Sequence, residues 1–143
     1  MATVNNSITI NAPVEKIFDY SNKPENLPEI WPSMIEVKNI KELPNGGYSY
    51  DFVYKMAGMR LTGSSENTEF VPNERIVSIS TGGIESTITW TYEPEGGGTK
   101  ITTLAEYKIP VPLLGKIAEA IIAKINENEG DTVMANLKAR MEA

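Results

Sequence analysis

Residues 8–34 read ITINAPVEKIFDYSNKPENLPEIWPSM. Ile8 and Ile10 share one face at period two, so the stretch opens as the end of a strand that begins near Val4. Asn11-Ala12-Pro13 ends that strand. A proline at the first helical position loses nothing, because that N–H has no partner inside the helix, so Pro13 is expected to start a short helix. Val14, Ile17, Phe18 and Tyr20 supply its apolar side. Asn22-Lys23-Pro24 repeats the device and opens a second short helix toward Trp31, with Pro28 in its first turns and Pro32 closing the unit.

From there to Pro110 the pattern is β. Ile35 and Val37, with Asn39 as a third member, alternate against Glu36 and Lys38. Pro44-Asn45-Gly46-Gly47 is a hairpin turn, since Asn-Gly takes the positive φ that tight hairpins need. Tyr48, Tyr50, Phe52, Tyr54 and Met56 then line one face of a strand, with Ser49, Asp51, Val53 and Lys55 on the other. After Ala57-Gly58 comes a more polar strand over 59–71, neither face of which is clearly apolar; Pro72-Asn73 breaks it, and Arg75 to Thr81 is the next. Ile84, Ser86, Ile88, Trp90 and Tyr92 alternate with Glu85, Thr87, Thr89, Thr91 and Glu93. Gly96-Gly97-Gly98 is a turn and no phosphate loop, because no Gly-Lys-Ser/Thr follows. Ile101, Thr103, Ala105, Tyr107 and Ile109 close the series.

The remainder reads as helix from about Leu113. Its first part, VPLLGKIAEAIIAKI (111–125), has only Lys116, Glu119 and Lys124 as charged residues, more apolar than a surface helix needs. At about 100° per residue, Val133, Met134, Leu137 and Met141 fall roughly a third of a turn from Ile117, Ile121 and Ile125, with Gly130 between, so a bend or break is expected there. One strand, two short helices, six hairpin-linked strands and a long helix argue an α+β domain whose antiparallel sheet has one dry face. The helix either covers a packed core or a hollow one.

The 143 residues suit a single domain, 1–143. The absence of cysteine excludes disulfides and thiolate chemistry, and the absence of histidine removes the usual general base at neutral pH and the commonest metal ligand. With a net charge of −6 and no Lys/Arg cluster, neither nucleic acid nor an anionic membrane surface is an expected partner. No stretch is long and apolar enough for a span and no export signal is present, so integral membrane association is not expected and a cytoplasmic protein is. No metal constellation and no cofactor are expected.

The 8–34 stretch resembles the opening of the START-like (SRPBCC) superfamily, which includes birch-pollen-allergen-type proteins, lipid-transfer domains and polyketide cyclase/dehydrase-like proteins. KMAGMRLTG (55–63), ISTGGIESTITWTYEPEGGGTKIT (79–102), PLLGKIAEAIIAKI (112–125) and ANLKARM (135–141) are similar to the last group. The resemblance covers essentially the whole chain. It implies a helix-grip fold: a seven-stranded curved antiparallel sheet, two short helices after strand 1, and a long C-terminal helix packed over the concave face. It also implies an internal cavity for a lipophilic molecule between sheet and helix. The lining expected is Trp31, Tyr50, Phe52, Tyr54, Leu61, Ile88, Trp90, Tyr107, Ile117, Ile121 and Ile125. So many phenols on one face suit a pocket better than a dry core, since each hydroxyl needs a partner.

Three functions follow. The first is non-catalytic binding or carriage of a lipid, isoprenoid, quinone or polyketide-like molecule by a monomer or weak homodimer. The second is a cyclase/dehydratase-like enzyme using a tyrosine or carboxylate, against which the missing histidine counts. The third is a protein-interaction module with a closed core. Asp51, Arg60, Glu66 and Glu69 are the ionisable mid-strand candidates, but no catalytic residue is assigned among them. Glu66 and Glu69, an odd number apart, would face opposite sides of a regular strand, and solvated edge positions suit Arg60 and Glu66 best.

Overall fold

A computed structural model describes residues 2–56, 58–108 and 119–143. Strand β1 (Ala2–Ile10) leads into helix α1 (Val14–Ser21), a single 3₁₀ turn at Pro24–Asn26 and the one-turn helix α2 (Leu27–Ile30). Strands β2 (Met34–Glu42), β3 (Tyr48–Met56), β4 (Met59–Val71), β5 (Arg75–Gly82), β6 (Ser86–Glu95) and β7 (Gly98–Tyr107) follow, then helix α3 (Glu119–Met141). The strands form one antiparallel sheet in the order β1-β7-β6-β5-β4-β3-β2. This is the helix-grip arrangement expected from the sequence. The expected helix start at about Leu113, and the expected lining residue Ile117, fall outside the described residues.

The turn chemistry behaves as its residue types require. Gly46 takes φ +93° in the β2–β3 hairpin, where its N–H donates to the Leu43 carbonyl at 3.0 Å. Asn73, in the β4–β5 turn, sits at φ 64°, a region asparagine tolerates better than most residues. Asn39 also has positive φ, at 55°, because β2 is irregular between Lys38 and Lys41. A second irregularity between Met34 and Glu36 leaves Ile35 40% exposed, so Met34, not Ile35, is the buried residue that begins β2.

Between sheet and helices the apolar side chains form two clusters. One is solid: Ile10, Ile17, Ile30, Ile101 and Leu137 are fully enclosed, and Phe18 meets Phe70 and Tyr92 edge-on at 5.4 and 5.0 Å. It sits under the C-terminal half of α3, with Val133, Met134 and Met141. The other, built on Tyr50, Phe52, Tyr54, Met56, Tyr107 and Ile122, lies under the N-terminal half.

Helix α3 runs unbroken through Gly130, so the chain does not break there. Its inward stripe is Ile122, Asn126, Glu129 with Gly130, Val133, Leu137 and Met141, the spacing of a straight helix. Ile121 and Ile125 do not belong to it: they are 54% and 41% exposed. The expected phase took the isoleucines as inward because the true inward positions 126, 129 and 130 are not apolar.

Gly130 is where α3 comes closest to β1. A Cβ at this position would overlap the Asn6 amide, whose Nδ2 donates to Asp131 Oδ1 at 2.9 Å. Elsewhere the helix is tied down by Asn136 Nδ2 donating to the Ile30 carbonyl at 3.0 Å and Lys138 Nζ to the Thr9 carbonyl at 3.1 Å. Glycine in an open helix interior costs about 1 kcal/mol relative to alanine. Here Gly130→Ala is expected to destabilise, by about 1–3 kcal/mol, because the helix must lift off β1. In an Asn6→Ala background the same change should become neutral or stabilising; urea denaturation of the two single variants and the double variant measures this coupling.

Candidate functional site

The hollow half of the layer holds a cavity of about 140 Å³. Strand alternation points Tyr50, Phe52, Tyr54 and Met56 of β3 into it, with Ile88 and Trp90 of β6 and Ala105 and Tyr107 of β7. Leu27 and Trp31 close it from the short helices, and Asn126, Glu129, Gly130 and Val133 from α3. Of the expected lining residues, Trp31, Tyr50, Phe52, Tyr54, Ile88, Trp90 and Tyr107 surround this space. Leu61 is buried in the same cluster, opposite Tyr54 in register, but is not part of the cavity wall. Ile121 and Ile125 face away from it, and Ile122 takes the inward place.

The polar part of the wall was missed at the sequence level. Asn6, Ser65, Asn67, Ser78, Ser80, Ser86 and Thr103 all line the cavity. The signal was the 59–71 strand with no apolar face: Gly63, Ser65 and Asn67 point inward at period two, onto a floor of hydroxyls and amides.

Each buried phenol has a partner. Trp31 Nε1 donates to the Tyr54 hydroxyl at 3.2 Å, and Asn126 Nδ2 donates to the Tyr107 hydroxyl at 2.6 Å. Tyr92 shares a 2.6 Å hydrogen bond with Ser21 in the solid cluster. Among the described residues no buried side-chain nitrogen or oxygen lacks a partner. Burial pushes the Tyr54 phenol up to about 12, against the pull of the Trp31 hydrogen bond and with the help of the Glu129 charge. Burial likewise raises Tyr50, opposed by its hydrogen bond to Ser65, and raises Tyr92. These phenols therefore stay protonated at neutral pH, as hydrogen-bond donors and not as bases.

The ionisable mid-strand residues lie elsewhere. Asp51 is on the outer face, where it accepts from Ser64 Oγ at 2.6 Å and Asn39 Nδ2 at 2.8 Å; these two bonds hold its carboxyl below the ordinary range. Arg60, Glu66 and Glu69 are exposed, and none lines the cavity. The expectation that Glu66 and Glu69 face opposite sides fails because β4 is bulged between Asn67 and Glu69, which turns both outward. Glu69 pairs there with Arg75 at 3.2 Å. Glu129 is the one charged side chain in the cavity wall among the described residues. It sits half-buried, with Oε1 accepting the Ser33 N–H at 2.8 Å.

No helix among the described residues is long and apolar enough to cross a membrane. No curated protein matches the chain by sequence. Solved structures match its fold closely. A START superfamily protein from Mycobacterium smegmatis superposes with a TM-score of 0.83 at 13% identity, over 99% of this chain and 98% of that one. TTHA0849 from Thermus thermophilus gives 0.75 at 21% identity, over 97% and 96%. The di-domain ARO/CYC StfQ of the steffimycin biosynthetic pathway gives 0.79 at 16% identity, over 99% of this chain and 50% of that one. A family model described as polyketide cyclase / dehydrase and lipid transport matches residues 1–142. With the sheet, the gripping helix and the cavity between them in place, the chain belongs to this polyketide cyclase/dehydrase and lipid transport family.

Proposed function

We propose that the protein binds and carries a small lipophilic molecule in this cavity without transforming it. The observation that carries the reading is the cavity itself: apolar and aromatic side chains interspersed with hydroxyl and amide groups from the sheet and the helices. That is the make-up of a ligand pocket, in which apolar area supplies affinity and a few polar groups fix orientation. The chemistry available points the same way. The Tyr50 and Tyr54 phenols hold their protons more tightly than usual, and the strand carboxylates are outside.

The size of the space restricts the ligand. A cavity of about 140 Å³ is comparable to one that accepts a single aromatic ring. One ring buries about 150–200 Å², which at roughly 25 cal/mol per Å² provides about 4–5 kcal/mol. That alone corresponds to a dissociation constant of about 0.2–1 mM, so tighter binding rests on the polar wall. Ring-sized quinones and short isoprenoids fit as the cavity stands, whereas a long acyl chain needs α3 to move.

A cyclase or dehydratase reading has one observation of its own. The Tyr54 hydroxyl and the Glu129 carboxylate are near enough to interact, so the pair could deliver a proton and hold the resulting charge. Under that reading Tyr54→Phe abolishes turnover of a polyketide-like carbonyl compound while leaving its binding intact. Under carriage no turnover occurs with either protein.

The chain's two tryptophans, Trp31 and Trp90, both line the cavity, so intrinsic emission reports its occupancy. Titration with quinones, isoprenoids, flavonoids and fatty acids should give saturable emission changes for ring-sized compounds. Ala105→Phe, which fills the space from β7, should weaken them at least about tenfold with the fold retained by circular dichroism. Unchanged emission across the panel would favour a closed core. The tyrosines give a separate test. Tyr54 holds its proton up to about 12 when folded, against 10.0 ordinarily, so its contribution to stability is complete below pH 10 and is lost as pH rises toward 12. Urea midpoints should fall through that window, and Tyr54→Phe should flatten the fall.

A further inference from the structure

The polar end of the cavity has a definite sign. Among the described residues Glu129 contributes the one charge in its wall, and no Lys or Arg lines it. Glu129 takes part in none of the ion pairs among the described residues, all of which lie elsewhere. One of its oxygens accepts the Ser33 N–H. Three aromatic residues gather at the same end. Trp31 and Tyr54 meet edge-on, ring centroids 6.1 Å apart and planes at 83°, and so form two walls of a corner. Tyr107 is tied by its hydroxyl to Asn126, one helical turn before Glu129 on the same face of α3. The Tyr54 hydroxyl is close enough to Glu129 to feel its charge.

A carboxylate beside electron-rich rings attracts a cation twice, by direct charge and through the ring quadrupoles. It repels an anion, which would enter a poorly solvated space without a partner. The net charge of −6 acts in the same direction at longer range.

We propose that this cavity selects ligands that carry a protonated amine on a ring-sized apolar body, with the ammonium held between Glu129 and the rings of Trp31, Tyr54 and Tyr107. Fatty acids and other carboxylates are excluded. This rests on the pocket reading above and assigns its ligand class. Neutral alcohols of the same shape bind through the apolar wall alone.

Three compounds of matched shape test it: 2-phenylethylammonium, 2-phenylethanol and phenylacetate, titrated at pH 7 and low ionic strength with tryptophan emission as readout. The expected order is ammonium, then alcohol, then carboxylate, with ammonium favoured over carboxylate at least about tenfold. In Glu129→Gln the amide oxygen can still accept the Ser33 N–H. This variant should lose the ammonium preference, so that ammonium and alcohol bind alike. Equal or tighter binding of phenylacetate overturns the proposal, as does an ammonium preference that survives Glu129→Gln. If the alcohol or the wider panel binds while the ammonium gains nothing, amine selectivity fails and the pocket reading stands. If neither these three nor the panel binds, the pocket reading falls and takes this proposal with it.

Discussion

The distance between α3 and the sheet governs everything else in the molecule, and contact with Asn6 at Gly130 and Asp131 sets it. The helix can approach β1 at that point only because position 130 has no side chain. Beyond it, toward the C-terminus, Val133, Met134, Leu137 and Met141 reach the sheet side and the layer closes into solid packing. Before it, beyond the buried Ile122, the inward positions Asn126 and Glu129 end in hydrogen bonds to Tyr107 and Ser33 instead of filling space. One helix thus seals a core at one end and spans a hollow at the other.

Polar groups in such a place are stable only as complete pairs, because an unpaired donor or acceptor away from water costs about 1–3 kcal/mol. The pairing observed here meets that condition: Trp31 with Tyr54, Asn126 with Tyr107, Asn6 with Asp131, Ser33 with Glu129. These bonds also fix side-chain orientation, so the polar end is organised before a ligand arrives and little ordering cost remains for binding. The surface ion pairs are exposed and contribute little to stability by comparison.

The strands were legible because alternation leaves two unequal faces, and β3, β6 and β7 carry aromatic or branched side chains on one of them. The short helices were legible from Pro13 and Pro24. What sequence reasoning misplaced was the phase of α3. Assigning inward positions by apolarity works when the far side is a core. It fails when the far side is a cavity, where Asn126 and Glu129 face inward and Ile121 and Ile125 face out. The polar strand β4 is the same effect in the sheet. Ser65 and Asn67 blurred its pattern because they line the cavity, and its bulge shifted Glu69 off the regular alternation.

The solid cluster has a consequence for how the hollow half can open. Lys16 Nζ and Lys138 Nζ donate to the Met141 and Thr9 carbonyls, and Glu142 accepts the Asn11 N–H at 2.8 Å, so the last turns of α3 are clamped to α1 and β1. The first half of the helix has fewer such ties among the described residues. Lever-like motion of α3 would then pivot about the packed end, widening the cavity most where Tyr107 and Asn126 meet and least at Trp90. A helix anchored this way would pivot on the protein's own core, and the stiffness of that core would set how large a guest of the proposed kind it could admit.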